Sequence, residues 1–131
     1  MGGRVTVAGL GRGTRQGDAR VVDLLAAMGA DIRRTADSTT VVGRRGPLRS
    51  LGEIDMVDMP DMAQTVAAVS VFADAPTRVR GVAIIRGHET DRIAAVVTEL
   101  RRAGISADQR PDGFVVHPGA PRPARIETYD D

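Results

Sequence analysis

The densest group of chemically active side chains lies at residues 86–92, where the sequence is Arg-Gly-His-Glu-Thr-Asp-Arg. The two arginines provide planar guanidinium groups, which bind phosphate or carboxylate through paired hydrogen bonds. Between them, Glu89 is a candidate for proton transfer, and His88 is a candidate general acid or anion contact. A structural interpretation fits equally well, with Thr90 or Asp91 capping a helix and the arginines facing solvent. Spacing alone leaves both interpretations open.

Asp61 is the second candidate for acid or base chemistry. It follows Pro60 at the start of an alanine-rich apolar segment, so it is either a general base or a helix N-cap, and the pattern does not separate the two. The histidines at 88 and 117 are far apart in a chain without cysteine, so the sequence predicts no metal site. His117, next to Pro118, has no evident chemical role.

The run Gly9-Leu10-Gly11-Arg12-Gly13 invites a dinucleotide-binding interpretation. The required glycine spacing is not met, because position 14 is threonine, and no helix follows directly. We therefore expect these glycines to form a turn.

Composition excludes several functions for this chain of 131 residues. All 18 basic residues are arginine, and they are scattered among acids. With aromatic residues at only 2%, no nucleic-acid partner is expected. No apolar run is long enough to span a membrane, and no secretory leader is evident, so we expect a cytoplasmic protein.

The hydrophobic period predicts three helices that position these candidates. Apolar residues recur at helical spacing over 21–28 and again over 93–100, and Gly29 and Gly104 are placed to end those helices. Residues 62–72 predict the third helix, which begins beside Asp61. The 86–92 cluster should therefore lie where a strand gives way to the last helix.

Short strands are predicted between the helices. Residues 4–8 alternate polar and apolar as a half-buried strand does, Ile32 and residues 39–42 form a hairpin, and residues 77–82 form a strand with one exposed face. Residues 125–129 predict a further strand.

The chain carries an internal repeat, because a shift of 75 positions superposes helix, glycine stop and hairpin. Examples are Val21 with Val96, Leu25 with Leu100, Gly29 with Gly104, Asp37 with Asp112 and Val41 with Val116. The repeat predicts a partial βαββ unit at 1–46, a connecting loop at 47–60, an αβαββ unit at 61–119 and the start of a further truncated unit at 120–131. We therefore expect the chain to be part of a longer repeating protein.

The predicted fold class is α+β, built from repeated βαβαββ units with helices buried inside small mixed sheets, one unit complete and one partial. A Rossmann-type parallel sheet is the second candidate, and the two hairpins count against it. Exposed sheet edges at both ends favour self-association or pairing with a complementary chain.

Several segments together resemble the 5-enolpyruvylshikimate-3-phosphate (EPSP) synthase family. Residues 16–18, before a helix ending at 28–30, look like one segment of that family, and residues 55–61 look like the stretch before its central catalytic helix. Residues 86–92 resemble its Arg-x-Lys-Glu-Thr-Asp-Arg signature, and residues 126–131 resemble the lead-in to its Asp-His-Arg motif. The order and spacing of these matches run nearly the whole length of the chain.

This resemblance implies an inside-out α/β barrel half-domain that transfers the enolpyruvyl group of phosphoenolpyruvate to the 5-hydroxyl of shikimate 3-phosphate, with no metal or organic cofactor. It implies that Asp61 accepts the proton of the attacking hydroxyl. It also implies that Glu89 is acid and base at the methylene carbon. His88, Arg92 and Arg86 would bind the anionic substrates.

The chain departs from the family pattern in two places and lacks several family motifs. His88 stands where lysine is usual, and Ile84 stands where some relatives have an asparagine that contacts the shikimate phosphate. The chain has no counterpart of the Lys-Ser phosphate loop, the Ser-Ser-Gln segment or the glycine-arginine stretch, and it stops before the His-Arg of the last motif. We therefore expect weak substrate binding and almost no turnover from this chain alone.

Two alternatives remain at this stage. One is a relative of the enolpyruvyl transferase acting on UDP-N-acetylglucosamine, against which the lack of cysteine and the Glu-Thr-Asp-Arg match both count. The other is a noncatalytic anion-binding or interaction module derived from the EPSP synthase family.

Overall fold

The computed structural model describes residues 2–43 and 45–129 of the chain. Its contacts divide the chain into two compact units, Met1–Arg49 and Ser50–Asp131. Each unit combines a small sheet with helices, so the predicted α+β class is confirmed. Within the described residues, no helix has the length and apolar character needed to cross a membrane.

The first unit is a three-stranded sheet with one α-helix. Its elements are β1 (Arg4–Ala8), a 3-10 turn (Gly17–Arg20), α1 (Val21–Ala27), β2 (Asp31–Arg34) and β3 (Ser38–Val42). The strand order is β1-β3-β2, and both pairings are antiparallel. The sheet is therefore not mixed in its described strands.

The glycines after β1 form the predicted turn. Gly9 adopts a φ of 81° and donates its N–H to Asp37 O at 2.7 Å. A Cβ at Gly11 would lie 2.0 Å from Ala36 O, so only glycine fits this approach of two backbone segments. The next element along the chain is the 3-10 turn Gly17–Arg20.

The first unit buries less than the sequence pattern predicts. All five residues of β1 are exposed, and Val5 is 64% exposed, whereas alternation predicted a half-buried strand. α1 likewise has no buried residue. Alternation specifies which face of a strand is apolar, but only tertiary packing decides whether that face is covered.

The second unit is a four-stranded mixed sheet with two α-helices. Its elements are β4 (Glu53–Asp55), a 3-10 turn (Pro60–Met62), α2 (Ala63–Ser70), β5 (Thr77–Arg80), a 3-10 turn (Ala83–Gly87), α3 (Arg92–Arg102), β6 (Ala107–Arg110) and β7 (Gly113–Val116). The strand order is β4-β5-β7-β6, with β4 parallel to β5 and the other neighbours antiparallel. Residues 47–60, predicted as a connection, thus include one brief strand.

The core of the second unit forms where α2 and α3 meet the sheet. α3 buries Ile93 and Val97, which are four positions apart and therefore lie on the same side of the helix. The fully or almost fully buried side chains include Val66 and Ala67 of α2, Ile93 and Val97 of α3, and Val79, Phe114 and Val116 of the sheet. This packing fixes the start of α3 relative to the start of α2.

The same helix end recurs in both units. Gly29 and Gly104 both have positive φ, and in each unit the residue after the glycine donates its N–H to a carbonyl five residues earlier, Leu25 and Leu100 respectively. This is a Schellman cap, which requires a left-handed residue at that position. The hairpin register also matches, because Ile32 pairs with Val41 and Ala107 pairs with Val116.

The strand predicted at 125–129 is wrong. Residues 125–129 have no strand pairing, and two of them, Glu127 and Tyr129, instead hydrogen-bond to the side chain of Glu99 in α3. A strand needs a neighbouring backbone edge, and the side chains of a helix supply anchoring contacts of another kind. The predicted boundaries at 46, 60 and 119 stay predictions; Asp130 and Asp131 of the last predicted segment, like Met1 and Arg44, lie outside the described residues.

Candidate active site

Asp61 lies in the 3-10 turn that leads into α2, and it does not cap that helix. The N-cap positions of the turn and of α2 are Met59 and Met62, and neither makes a side-chain cap bond. The N-cap interpretation of Asp61 is therefore wrong. Its carboxylate instead points across to α3, where Oδ1 lies 3.2 Å from Nη1 of Arg92.

Asp91 is the residue that caps α3. Its Oδ1 accepts the N–H of Ala94 at 3.0 Å, and its Oδ2 accepts Nη1 of Arg86 at 2.6 Å. Burial raises the pKa of Asp91, but the hydrogen bonds from Ala94 and Arg86 lower it by more, so the pKa lies below its usual value. A negative charge at this helix start also stabilises the helix dipole.

Arg86 contacts the carboxylate oxygen of Asp91 that does not cap the helix. Besides Asp91, it donates to the backbone oxygens of Arg110 at 2.7 Å and Pro111 at 3.3 Å. Its guanidinium thus ties the start of α3 to the turn between β6 and β7. The structure does not place Arg86 among the residues that line the recess described next, and its role in substrate binding stays a prediction.

Arg92 is the first residue of α3, and its guanidinium lies between two carboxylates. Nη1 contacts Asp61, and Nη2 lies 3.5 Å from Oε2 of Glu89. The Arg92 side chain is 20% exposed, whereas Asp61 and Glu89 are 59% and 68% exposed. A partly buried cation thus faces two accessible acids.

These residues line an open recess of about 620 Å³, which we call the Arg92 recess. Its lining consists of Asp61, Gly87, His88, Glu89 and Arg92. Four of the five residues singled out from the sequence, Asp61, His88, Glu89 and Arg92, therefore share one recess. Asp61 comes from the 3-10 turn before α2, whereas the other three come from the connection into α3 and its first residue. Gly87, whose backbone borders the same space, was not singled out, because glycine gives no chemical signal in sequence.

This arrangement can bind an anion and move protons beside it. A guanidinium binds a carboxylate or a phosphate through two parallel N–H groups. An incoming anion would therefore compete with Asp61 and Glu89 for the N–H groups of Arg92. Either displaced carboxylate would then lie next to the bound ligand as a proton acceptor or, once protonated, a donor. Among the described residues, no cluster of three or more His, Asp or Glu side chains has the geometry of a metal site. His117 lies outside the recess, with Nε2 3.8 Å from Asp108.

A second recess, of about 280 Å³, adjoins the other side of Arg92, and we call it the Tyr129 recess. Its lining comes from Gln64 at the start of α2, from Ala95, Val96 and Glu99 of α3, and from residues 127–129. Its polar lining includes Gln64, Thr90, Arg92, Glu99 and Tyr129. Sequence reasoning missed this recess, because residues 125–129 were predicted to be a strand and no spacing pattern links them to Glu99.

Glu99 anchors the wall of the Tyr129 recess. Its carboxylate accepts the Tyr129 hydroxyl at 2.6 Å, the Glu127 N–H at 3.2 Å and Nη1 of Arg102 at 2.8 Å. The hydrogen bond from Tyr129 is the main cause that lowers the pKa of Glu99, and the same bond raises the pKa of Tyr129. The hydrogen bond thus stabilises the ionised form of Glu99 and the protonated form of Tyr129.

Comparison with known proteins extends the match to the whole chain. A family model described as EPSP synthase (3-phosphoshikimate 1-carboxyvinyltransferase) matches residues 1–131. The 3-phosphoshikimate 1-carboxyvinyltransferase of Nostoc punctiforme is 45% identical over 130 residues, which cover 99% of this chain and 30% of that protein. The 3-phosphoshikimate 1-carboxyvinyltransferase 2 of Nicotiana tabacum is 41% identical over 136 residues, which cover 99% of this chain and 40% of that protein. The chain thus spans less than half the length of these relatives.

Solved structures show the same fold. An EPSP synthase from Acinetobacter baumannii superposes with a TM-score of 0.74 at 23% identity, over 91% of this chain and 28% of that one. The enolpyruvyl transferase NikO from Streptomyces tendae superposes with a TM-score of 0.61 at 22% identity, over 88% of this chain and 26% of that one. With the family model matching every residue, this chain belongs to the EPSP synthase (3-phosphoshikimate 1-carboxyvinyltransferase) family.

Proposed function

We propose that this chain supplies one wall of an enolpyruvyl transferase active site that joins phosphoenolpyruvate to the 5-hydroxyl of shikimate 3-phosphate and releases phosphate. The observation that carries the proposal is the Arg92 recess, in which one guanidinium is shared by Asp61 and Glu89. Names of relatives that match the whole chain support the same reaction.

The roles of the side chains follow from the chemistry of the addition. The 5-hydroxyl oxygen bonds to C2 of phosphoenolpyruvate while Asp61 accepts the hydroxyl proton, and Glu89 in its acid form delivers a proton to the methylene carbon. In the second half, the carboxylate of Glu89 takes a proton back from that carbon as the C2–O bond to phosphate breaks. The hydroxyl proton leaves one substrate and the phosphate group, with its bridging oxygen, leaves the other, so the products are the enol ether and phosphate.

Arg92 binds the negative charge of phosphoenolpyruvate in this scheme. Its guanidinium neutralises carboxylate or phosphate through two parallel hydrogen bonds, which a lysine ammonium cannot reproduce. His88 borders the same recess and adds a second contact for the anion. Arg86 stays a predicted substrate contact; its guanidinium is held by Asp91 and by the backbone oxygens of Arg110 and Pro111.

We further propose that the 131-residue chain alone binds these substrates weakly and turns over almost nothing. The Arg92 recess is open, and a site without an opposite wall cannot exclude water or hold two substrates in attack geometry. Measurable product formation by the purified chain would refute this part of the proposal. Recovery of activity on mixing with a complementary chain would support it.

The binding test is a titration of ¹⁵N-labelled chain with phosphoenolpyruvate and with shikimate 3-phosphate. We expect shift changes at Gly87, His88 and the Arg92 Nε–H at millimolar ligand, and we expect Arg92→Lys to weaken binding about tenfold, the loss of one charge-assisted hydrogen bond. Arg33→Ala, which removes an exposed arginine paired with Asp31, is the matched control and should change nothing.

The same titration separates the competing functions. No shift change around the Arg92 recess at millimolar ligand would contradict the proposal and favour a noncatalytic interaction module. Shift changes with UDP-N-acetylglucosamine in place of shikimate 3-phosphate would favour the other enolpyruvyl transferase class.

A further inference from the structure

Residues 127–129 lie along one side of α3 and contact its side chains. Arg92, Val96 and Glu99 are spaced at i, i+4 and i+7, so they lie along one side of the helix, while Ile93 and Val97 face the core. The segment follows this side, because Glu127 pairs with Arg102 at 3.1 Å and Tyr129 bonds to Glu99, which lies nearer to Arg92.

Glu99 carries most of this attachment. Its side chain is only 14% exposed, and its two oxygens accept one main-chain N–H and two side-chain donors from both sides of the contact. Hydrogen bonds to a charged acceptor are shorter and about twice as strong as neutral ones. A carboxylate with this many donors is therefore suited to fix a segment that has no strand pairing.

The attached segment borders Arg92. The Tyr129 recess has Thr90, Arg92 and Gln64 at one end and residues 127–129 along its side. Arg92 thus contributes to both recesses, with Asp61 and Glu89 on one side and the attached segment on the other. Loss of the segment would remove one wall of a recess that Arg92 also lines.

We propose that Glu99 is a positioning residue: by fastening residues 127–129 along α3, it restricts the Arg92 side chain to the orientation in which its guanidinium faces the Arg92 recess. Glu99 does not touch the ligand in this scheme. The proposal rests on the proposed function only in taking Arg92 as the anion contact.

The attachment can be measured directly because Tyr129 is the only tyrosine and the chain has no tryptophan. Tyrosinate absorbance during an alkaline titration therefore reports the pKa of Tyr129 without overlap. We expect a pKa above the ordinary 10.0 in the parent chain and a downward shift toward that value in Glu99→Gln and Glu99→Ala. Glu53→Gln is the matched control, since Glu53 pairs with Arg78 and Arg80 on the sheet and should leave Tyr129 unchanged.

The positioning effect is measured on Arg92 without any ligand. We expect the heteronuclear NOE of the Arg92 Nε–H to fall in Glu99→Ala, to fall less in Glu99→Gln, which keeps one acceptor oxygen, and to stay unchanged in Glu53→Gln. The far-ultraviolet circular dichroism of all three variants should match the parent chain, which shows that the unit still folds. A severalfold loss of phosphoenolpyruvate affinity in Glu99→Ala should accompany the lower NOE.

The outcomes distinguish this inference from the proposed function. An ordinary Tyr129 pKa in the parent chain, or an Arg92 NOE that does not respond to Glu99→Ala, overturns the positioning role. If both respond as expected but the parent chain binds no phosphoenolpyruvate, the positioning role stands and the proposed function fails. If phosphoenolpyruvate binds equally well to the parent chain and to Glu99→Ala, the positioning role is overturned and the proposed function stands.

Discussion

The guanidinium of Arg92 lies 3.2 Å from the carboxylate of Asp61, although the two residues are 31 positions apart, one in the 3-10 turn before α2 and the other at the start of α3. The packing of α2 and α3 on one sheet brings them together, and neither helix alone would do so. In the absence of ligand, Asp61 therefore partly neutralises the cation that the proposed function assigns to substrate binding. The first two predictions concern the charge balance of this recess.

Replacing Asp61 with asparagine should strengthen anion binding. Asp61→Asn keeps the shape of the side chain but removes the charge that competes with ligand for Arg92. Because an exposed ion pair contributes about 0.2–1 kcal/mol, we expect phosphoenolpyruvate affinity to rise roughly two- to fivefold. Asp31→Asn, which disrupts the exposed pair with Arg33, is the control, and an affinity of Asp61→Asn equal to or below that of the parent chain would contradict the prediction.

Replacing His88 with lysine should strengthen phosphoenolpyruvate binding. His88 lines the recess that holds the Arg92 guanidinium, and a lysine there would add a compact ammonium with three N–H donors on a flexible stem. We therefore expect a severalfold gain in affinity from His88→Lys, as measured by titration. His117→Lys places the same side chain outside the recess and should give no gain. An unchanged affinity of His88→Lys would contradict a role for position 88 in anion binding.

Removing the cap of α3 should destabilise the second unit. Asp91→Ala deletes the acceptor of the Ala94 N–H and the partner of Arg86, and loss of an N-cap costs about 1 kcal/mol. Asp91→Asn keeps the cap but loses the charge, so we expect a smaller loss in urea unfolding. Equal stability of Asp91→Ala and the parent chain would be incompatible with the cap.

The same carboxylate gives the stability an acid-dependent component. The pKa of Asp91 is lower in the folded chain than its ordinary 3.8, so its contribution is fully present above that value and disappears as the pH falls through the lowered pKa. The difference in unfolding free energy between the parent chain and Asp91→Asn should therefore shrink in strong acid. A difference that is constant down to the acid end would contradict this sign.

Gly113 should be intolerant of any side chain. A Cβ there would lie 2.0 Å from Val79 O on the neighbouring strand β5, and that strand is in the centre of the sheet with Val79 fully buried. We expect Gly113→Ala to lower the unfolding free energy by more than about 3 kcal/mol in urea titration. Gly13→Ala, where no atom lies within 4 Å of the added Cβ, should have little effect by comparison.

The helix ends and hairpins were predictable because their causes are local. A left-handed glycine after a helical apolar period, as at Gly29 and Gly104, specifies the Schellman cap, and the following hairpins repeat with the same register. The α+β class followed from that repeat. The strand predicted at 125–129 failed because its apolar alternation carries no information about whether a backbone edge is available.

The candidate site was only partly predictable. The side-chain types of residues 86–92 predicted acid, base and cation chemistry. Asp61 was predicted as a second candidate because it stands beside a helix start. The cap assignment was ambiguous until the structure showed that Asp91 caps α3 and that Asp61 makes no cap bond. Arg86 illustrates the limit, because the sequence cannot show that its N–H groups are directed to the backbone of Arg110 and Pro111.

The sequence by itself determined which residue types were present, where α1 and α3 stop, and that the chain carries the Glu-Thr-Asp-Arg cluster of its family. Only the tertiary structure decided which of those side chains meet. Asp61 and Glu89 both contact the guanidinium of Arg92, Arg86 donates to the backbone oxygen of Arg110, and the Tyr129 hydroxyl donates to Glu99. The physical reason is that helix caps and the hydrophobic period depend on neighbours within about one helical turn. These contacts instead join residues up to 31 positions apart, so they depend on how two helices pack on one sheet.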